Sequence, residues 1–239
     1  MIPKIIHYCW FGGNPLPEEA KRYIEGWKKF CPDYEIREWN EQTFDVTSVP
    51  YVKEAYESRK WAFVTDYVRL YALYHQGGVY MDTDVEVVRP IDRFLENEAF
   101  SGFESETAVP TGIMAAEAGQ RTIKDLLDAY DGRHFLNEKG EMDLSTNVEA
   151  ITDYFVSRGM RMDNTEQTVN GFTMYPCDYF CPKDSRTLEI KTTENTYTIH
   201  HFSGTWLGEK QNFRKRVKKL LGPKVCGFVV RVMDRLHIK

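Results

Sequence analysis

Two carboxylates stand one residue apart in the otherwise apolar run "GGVYMDTDVEV": Asp82 and Asp84. Side chains in a strand alternate faces, so Tyr80, Asp82, Asp84 and Glu86 share one side, opposite Val79, Met81, Thr83, Val85 and Val87. Two like charges held that close repel unless something positive joins them. A hard divalent cation, Mn2+ or Mg2+, is the natural partner, and such ions keep substrate phosphates as further ligands. An Asp-x-Asp at the carboxyl end of a strand therefore points to a metal–diphosphate site, at the edge where open α/β sheets bind ligands. Just upstream, Asp66 and Arg69 are three residues apart and share a helix face. They read either as a helix-surface ion pair or as a carboxylate and a guanidinium held on a stiff scaffold to grip sugar hydroxyls.

The segments around these residues must position them. Residues 4–11, "KIIHYCWF", are β-branched and aromatic, stop at Gly12-Gly13, and read as a buried first strand. Residues 16–32 carry Ala20, Tyr23, Ile24, Trp27 and Phe30 at helical spacing, with Pro17 near the start. Residues 34–40 alternate as a second strand, which makes the opening β-α-β, the start of an α/β sheet. Residues 60–76 read as a long helix with Trp61, Val64, Tyr67, Leu70, Tyr71 and Tyr74 along one side, closed by Gly77 as a left-handed cap. The chain then re-enters the sheet through "VYMDTDVEVV" and stops at Pro90. Residues 92–97 look like a short helical turn. "AFSGFESE" and "VPTGIMAAEA" read as strands, "QRTIKDLLDAYDGR" as a helix, and "NTYTIHHFSGTW" as a late strand and loop.

The chain has 239 residues and a formal net charge of -5, which argues against a nucleic-acid binder. The charge is uneven. Residues 209–239 hold ten basic side chains against two acidic ones. Five cysteines without a CxxC pair read as reduced thiols, and Cys177 and Cys181 alone make a poor zinc site. The start "MIPKIIHYCWFGG" lacks the apolar core of a signal peptide, and no run reaches the roughly 18 apolar residues of a spanning helix. The expected organisation is one α/β domain over residues 1–207 and a basic helical extension over 208–239. In that extension Phe213, Val217, Leu220 and Leu221 face a dense basic surface, which suits either an anionic membrane surface or a solvated helix docked on the body.

"VTDYVRLYALYHQGGVYMDTDVEVV" resembles the signature of the DXD-containing glycosyltransferases that include the yeast initiating α-1,6-mannosyltransferase, bacterial capsular polysaccharide and lipopolysaccharide sugar transferases and, more distantly, the clostridial glucosylating toxins. "IPKIIHYCWFGG" resembles that family's opening strand and "YTIHHFSGTW" its closing His and Ser/Thr-Trp element. The resemblance implies a GT-A fold (a Rossmann-like nucleotide-sugar-binding α/β fold), a divalent metal, a nucleotide-sugar donor and retention of anomeric configuration. It places Asp82 near the donor ribose and sugar, Asp84 on the metal, Asp66 and Arg69 on the sugar hydroxyls, Trp10 near the base, and Tyr80 among the donor-binding residues. His201, in preference to His200, would complete the metal ligands, and Ser203, Thr205 and Trp206 would face the diphosphate.

The reaction so implied is transfer of a hexose, from UDP-sugar by default or from GDP-mannose, to a glycan or lipid-linked glycan in cell-surface polysaccharide synthesis. Its place would be the cytoplasm, peripherally on the inner face of the membrane. Glu104, Glu117 and Asn147 lie in segments able to line the acceptor side, and no catalytic base is identifiable. Two alternatives are a non-catalytic nucleotide-sugar-binding protein and an Asp-x-Asp phosphatase. The latter needs its nucleophilic Asp near the start of the fold, whereas here a β-α-β opening and a long helix come first.

Overall fold

The uninterrupted β-branched and aromatic run forms strand β1 (Ile5–Cys9), the helical stripe forms α1 (Glu18–Phe30), and the alternating segment forms β2 (Glu35–Trp39). This computed structural model describes residues 1–109, 112–204, 218 and 221–232. Helix α1 buries Ala20, Ile24 and Trp27, with Glu18 and Glu19 in its first turn and Lys28 and Lys29 in its last, as the helix dipole favours. The Trp27 indole N–H donates to the Val85 carbonyl at 2.7 Å, which ties α1 to the chain just past the two aspartates. A helix that the sequence reading left unassigned follows, α2 (Pro50–Glu57), with Pro50 in its first turn, where a missing N–H costs nothing.

Helix α3 (Trp61–Gln76) lies close to the expected bounds but is buried on more than one side. Val64, Val68, Arg69, Leu70, Ala72 and Leu73 are its buried residues, while Tyr67, Tyr71 and Tyr74 are only partly covered. Gly77 ends it with φ 64° and ψ -168°, not as the left-handed cap expected. That conformation belongs essentially to glycine, and a Cβ there would lie 2.7 Å from the Ala118 nitrogen.

Strand β3 (Gly78–Met81) then stops short of the aspartates. Asp82, Thr83 and Asp84 make a turn, with the Val85 N–H donating to the Asp82 carbonyl at 3.0 Å, and β4 (Val85–Val87) joins a different sheet. The expected single strand is therefore two. The carboxylates come together because the chain turns, not because side chains alternate.

The rest of the chain adds β5 (Ala99–Gly102), β6 (Ile113–Ala116), α4 (Arg121–Asp128), α5 (Asn147–Val156), β7 (Gln167–Val169), β8 (Phe172–Tyr175), α6 (Cys177–Phe180) and β9 (Thr198–His200). The main sheet runs β2-β1-β3-β6-β5-β8-β7. The β1–β2, β1–β3 and β5–β8 pairs are parallel and the others antiparallel. One core layer, including Val52, Val64, Leu70, Ile151 and Phe155, covers one face; another, including Ile24, Trp27, Phe94 and Phe180, covers the other. All four β3 residues are buried, as a strand covered on both faces requires. Strand β1 has β2 on one side and β3 on the other, so the carboxyl ends of β1 and β3 form the crevice where such sheets bind ligands. Trp10 leaves β1 there and Asp82 leaves β3 there. A second sheet pairs β4 with β9, setting Val85 opposite His200.

His7, fully buried in β1, gives the fold a pH dependence. Its Nε2 lies 2.8 Å from the Gly77 carbonyl, and its Nδ1 accepts the Trp39 indole N–H at 3.1 Å, so the ring is held neutral. Burial lowers its pKa from 6.5 to about 4. The unfolded chain therefore takes up this proton as pH falls through 6.5, while the folded chain resists until about 4. Stability is full above that window and falls on acidification across it, by on the order of 3 kcal/mol. Urea unfolding at pH 7.5 and 4.5 checks this, and His7→Asn should lose this part of the slope.

Candidate active site

The turn after β3 and the last residue of β9 bring Asp82, Asp84 and His200 together. Each offers one ligand atom, and these atoms lie within 4.8 Å of one another. His200 Nε2 is 3.4 Å from Asp84 Oδ1 and 4.0 Å from Asp82 Oδ2. Burial pushes the Asp84 carboxyl up, but His200 and the Ser203 N–H outweigh it and bring it to about 2. Burial likewise disfavours charge on His200, and Asp84, the Cys181 thiol and Asp82 outweigh it, so its pKa stands well above the ordinary value. A proton on the imidazole and a divalent cation are alternative ways to neutralise the two carboxylates. Two carboxylates and an imidazole are a donor set that Mn2+ accepts and that Mg2+, which prefers oxygen, accepts less well. The group fits a divalent cation on these grounds.

Behind the triad lies a buried charge cluster. Arg69 Nη2 is 3.2 Å from Asp66 Oδ1 and 3.4 Å from Asp82 Oδ1, and its guanidinium sits 4.6 Å from the centre of the Tyr80 ring. The Tyr80 hydroxyl donates to Asp82 at 2.7 Å. Burial, reinforced by Asp82, raises Asp66 to about 6 against the pull of Arg69. Asp82 is raised by burial too, with Arg69 and His200 opposing. Arg69 faces Asp66 and Asp82, and His200 faces Asp84, so three carboxylates meet two cationic groups and keep a surplus of negative charge that a divalent cation would balance.

The sequence-based expectations meet this geometry unevenly. Asp66, Arg69, Asp82 and Asp84 converge. Of the two histidines it is His200, and not the preferred His201, that joins the aspartates. The His201 ring turns the other way, with Nε2 2.7 Å from Glu86 Oε2 and its face stacked 4.9 Å from Tyr23. Tyr80, expected among the donor-binding residues, is 1% exposed and meets Asp82 from behind through its hydroxyl. Trp10 stands at the crevice with its indole N–H on the Asn14 carbonyl, and Ser203 meets Asp84 through its backbone. Thr205 and Trp206 lie outside the described residues. Cys177 and Cys181 belong to no three-residue metal group among the described residues.

Asn147, the first residue of α5, donates to Asp66 Oδ1 at 3.5 Å. Glu104 lies close enough to Asp82 and Asp84 that they reinforce the rise burial gives its carboxyl. Glu117 is far from the cleft, paired with the N-terminal amine.

Gly112 is a site residue that sequence reasoning missed. Its carbonyl accepts the Asp82 N–H at 2.8 Å, and a Cβ built on it would stand 2.8 Å from His200 Nδ1 and 3.0 Å from Cγ. Ligating histidines are usually oriented by an oxygen on the second ring nitrogen. Here that nitrogen is buried without such a partner, and the ring is packed instead between Gly112 and Phe202, whose centroid is 4.2 Å away. Gly112→Ala should push the imidazole off Asp84 and weaken Mn2+ binding about 10- to 100-fold. An Mn2+ titration followed by electron paramagnetic resonance reads this, and adding Gly112→Ala to His200→Ala should change nothing further.

Comparison with known proteins agrees with this geometry. Residues 17–101 match the family described as glycosyltransferase sugar-binding region containing DXD motif. That segment holds Asp66, Arg69, Asp82 and Asp84 but not His200. Inositol phosphoceramide mannosyltransferase 3 of Schizosaccharomyces pombe is 32% identical over 126 residues, 49% of this chain and 34% of that protein. Mannosyl phosphorylinositol ceramide synthase CSH1 of Saccharomyces cerevisiae is 30% identical over 241 residues, 96% of this chain and 59% of that protein. The chain therefore spans between a third and three-fifths of the length of these relatives. A solved structure described as PaToxG glycosyltransferase superposes with a TM-score of 0.52 at 18% identity, over 65% of this chain and 68% of that one. The likeness shows the fold, an α/β fold of the GT-A type.

Proposed function

We propose, from a chain that belongs with the DXD-containing glycosyltransferases, that it transfers a hexose from a nucleotide-sugar donor to a lipid-borne or glycan acceptor. The observation that carries this reading is the Asp82–Asp84–His200 group at the carboxyl edge of β3, backed by the Asp66–Arg69 pair. The names of the two yeast relatives add weight to mannose as the sugar and to a lipid as the acceptor's carrier. UDP-hexoses and GDP-mannose remain the two donor classes to compare. A role in cell-surface polysaccharide synthesis, at the inner face of a membrane and with retention, completes the proposal.

Asp84, His200 and Asp82 would hold the cation. Bound there, it would neutralise charge gathering on the departing diphosphate. The chain's own residues do the rest. Asp66 and Asp82 accept hydrogen bonds from sugar hydroxyls, and their negative charge favours the oxocarbenium character of glycosyl transfer. Arg69 keeps both carboxylates in place. The Ser203 N–H and the turn at Asp82 fix the Asp84 carboxylate, so it needs little reorganisation during the reaction.

Nucleotide release, measured across a panel of UDP- and GDP-sugars with Mn2+, tests the reading. One donor class should stand out, and turnover should vanish on chelation. Failure to bind or hydrolyse any donor overturns it.

A further inference from the structure

Residues 221–232 are helical, and the side they turn to solvent is the unexpected one. Gly222, at φ 74°, breaks the chain direction and Pro223 follows, where the first turn of a helix tolerates it. Beyond the break the covered side of the helix carries small residues. Cys226 is buried, and Gly227 lies over Thr187. The larger apolar side chains point away. Val225, Phe228, Val229 and Val232 are 45%, 62%, 44% and 38% exposed, and Leu221 before the break is 48% exposed. From Val225 on the spacing is i, i+3, i+4, i+7, a single helical stripe. Lys224 and Arg231 are exposed beside it.

A helix whose task was to pack on the body would bury Phe228 and leave its small face in water. This one does the reverse. No acid occurs between residues 210 and 233, and residues 209–239 carry ten basic side chains against two acidic. A second copy of the same face would bring like charge against like charge. Anionic lipid would neutralise the charge and receive the stripe.

We propose that residues 221–232 bed their apolar stripe into an anionic bilayer surface, with Lys224 and Arg231 at the headgroups. The inference rests on the functional reading only for its purpose, which is to bring the cleft to an acceptor carried on a lipid. Among the described residues no helix is long and apolar enough to cross a membrane, so the mode is contact with one leaflet.

Flotation of the full chain with vesicles of phosphatidylcholine, alone or mixed with phosphatidylglycerol, tests it. The wild type should float with the mixed vesicles and much less with neutral ones, and added salt should weaken binding. Phe228→Ser/Val229→Ser and Lys224→Glu/Arg231→Glu should each reduce recovery by roughly 10-fold. Donor hydrolysis without lipid should be unchanged in both, so loss of lipid binding and failure of the catalytic reading are told apart. Equal flotation of the variants, or no flotation of the wild type, overturns the proposal. So does a solution dimer, seen by light scattering, that Phe228→Ser/Val229→Ser dissolves.

Discussion

Asp84→Ala is expected to lower cation-dependent sugar transfer by on the order of 10³-fold, while the protein stays folded. The carboxylate is the centre of the Asp82–Asp84–His200 group. It lies 3.4 Å from His200, whereas Asp82 is 4.0 Å away, and at about 2 its pKa keeps it ionised at any working pH. Without it the imidazole and the remaining aspartate are too few to fix a cation. Because cation and proton compete for His200, binding by the wild type should release a proton and strengthen as pH rises through neutrality. Calorimetry in buffers of different ionisation enthalpy reads that proton, and Asp84→Ala should show neither binding nor release. The residue sits in a turn between two strands, so circular dichroism should stay close to wild type, with a modest drop in melting temperature from the lost His200 and Ser203 contacts. Glu86→Gln is the control. Strand alternation put Glu86 beside the aspartates, whereas the structure pairs it with His201, and the variant should keep full turnover. Turnover that survives Asp84→Ala, or full activity after chelation, would end the cation assignment.

The contrast between Asp84 and Glu86 shows what the sequence could and could not carry. Local periodicity suffices for β1, α1, β2 and α3, because each is long enough to repeat its pattern and has Gly or Pro within a few residues of at least one end. Asp82–Thr83–Asp84 offers no such punctuation, and its alternation continues that of the strands around it. Only the pairing of Val85–Val87 with Thr198–His200, more than a hundred residues later, breaks the strand there. The same register decides between the histidines. Neighbouring residues face opposite ways, and with Val85 opposite His200 it is His200 that turns to the aspartates. A sequence that offers "HH" holds no information on that choice. Asn147 differs, since its signal was present. Thr146 and Glu149 form a capping box, readable as a helix start, and the helix they open delivers Asn147 to Asp66. Gly112 was illegible, because its value lies in what a ring from another sheet needs. The Asp66–Arg69 spacing was read correctly as a shared helix face, but its partner Asp82 comes from the fold.

That three-way contact sets the second large effect. Arg69→Ala should destabilise the protein by about 3–5 kcal/mol at pH 7.5, because Asp66 and Asp82 would remain buried without their shared counter-charge. The guanidinium side chain is 6% exposed, so water cannot easily replace it. The loss should itself depend on pH. Without Arg69, Asp66 rises further above its present value of about 6, and a carboxyl whose folded pKa is raised stabilises the fold when protonated and destabilises it as pH climbs. Urea unfolding should therefore show a smaller deficit at pH 5.5 than at pH 8, a slope opposite in sign to that of His7. Arg69→Lys should fall between, since a point charge cannot reach two carboxylates as a planar fork does. A deficit below about 1 kcal/mol for Arg69→Ala would show the cluster to be effectively solvated. Asp66→Asn/Arg69→Met then separates scaffold from chemistry. Removing both charges relieves the penalty at Asp66 and leaves only Asp82 without Arg69, so part of the stability should return. Turnover should not, because neither a carboxylate for the sugar hydroxyls nor the brace on Asp82 is restored; recovery of both together would make the pair structural only.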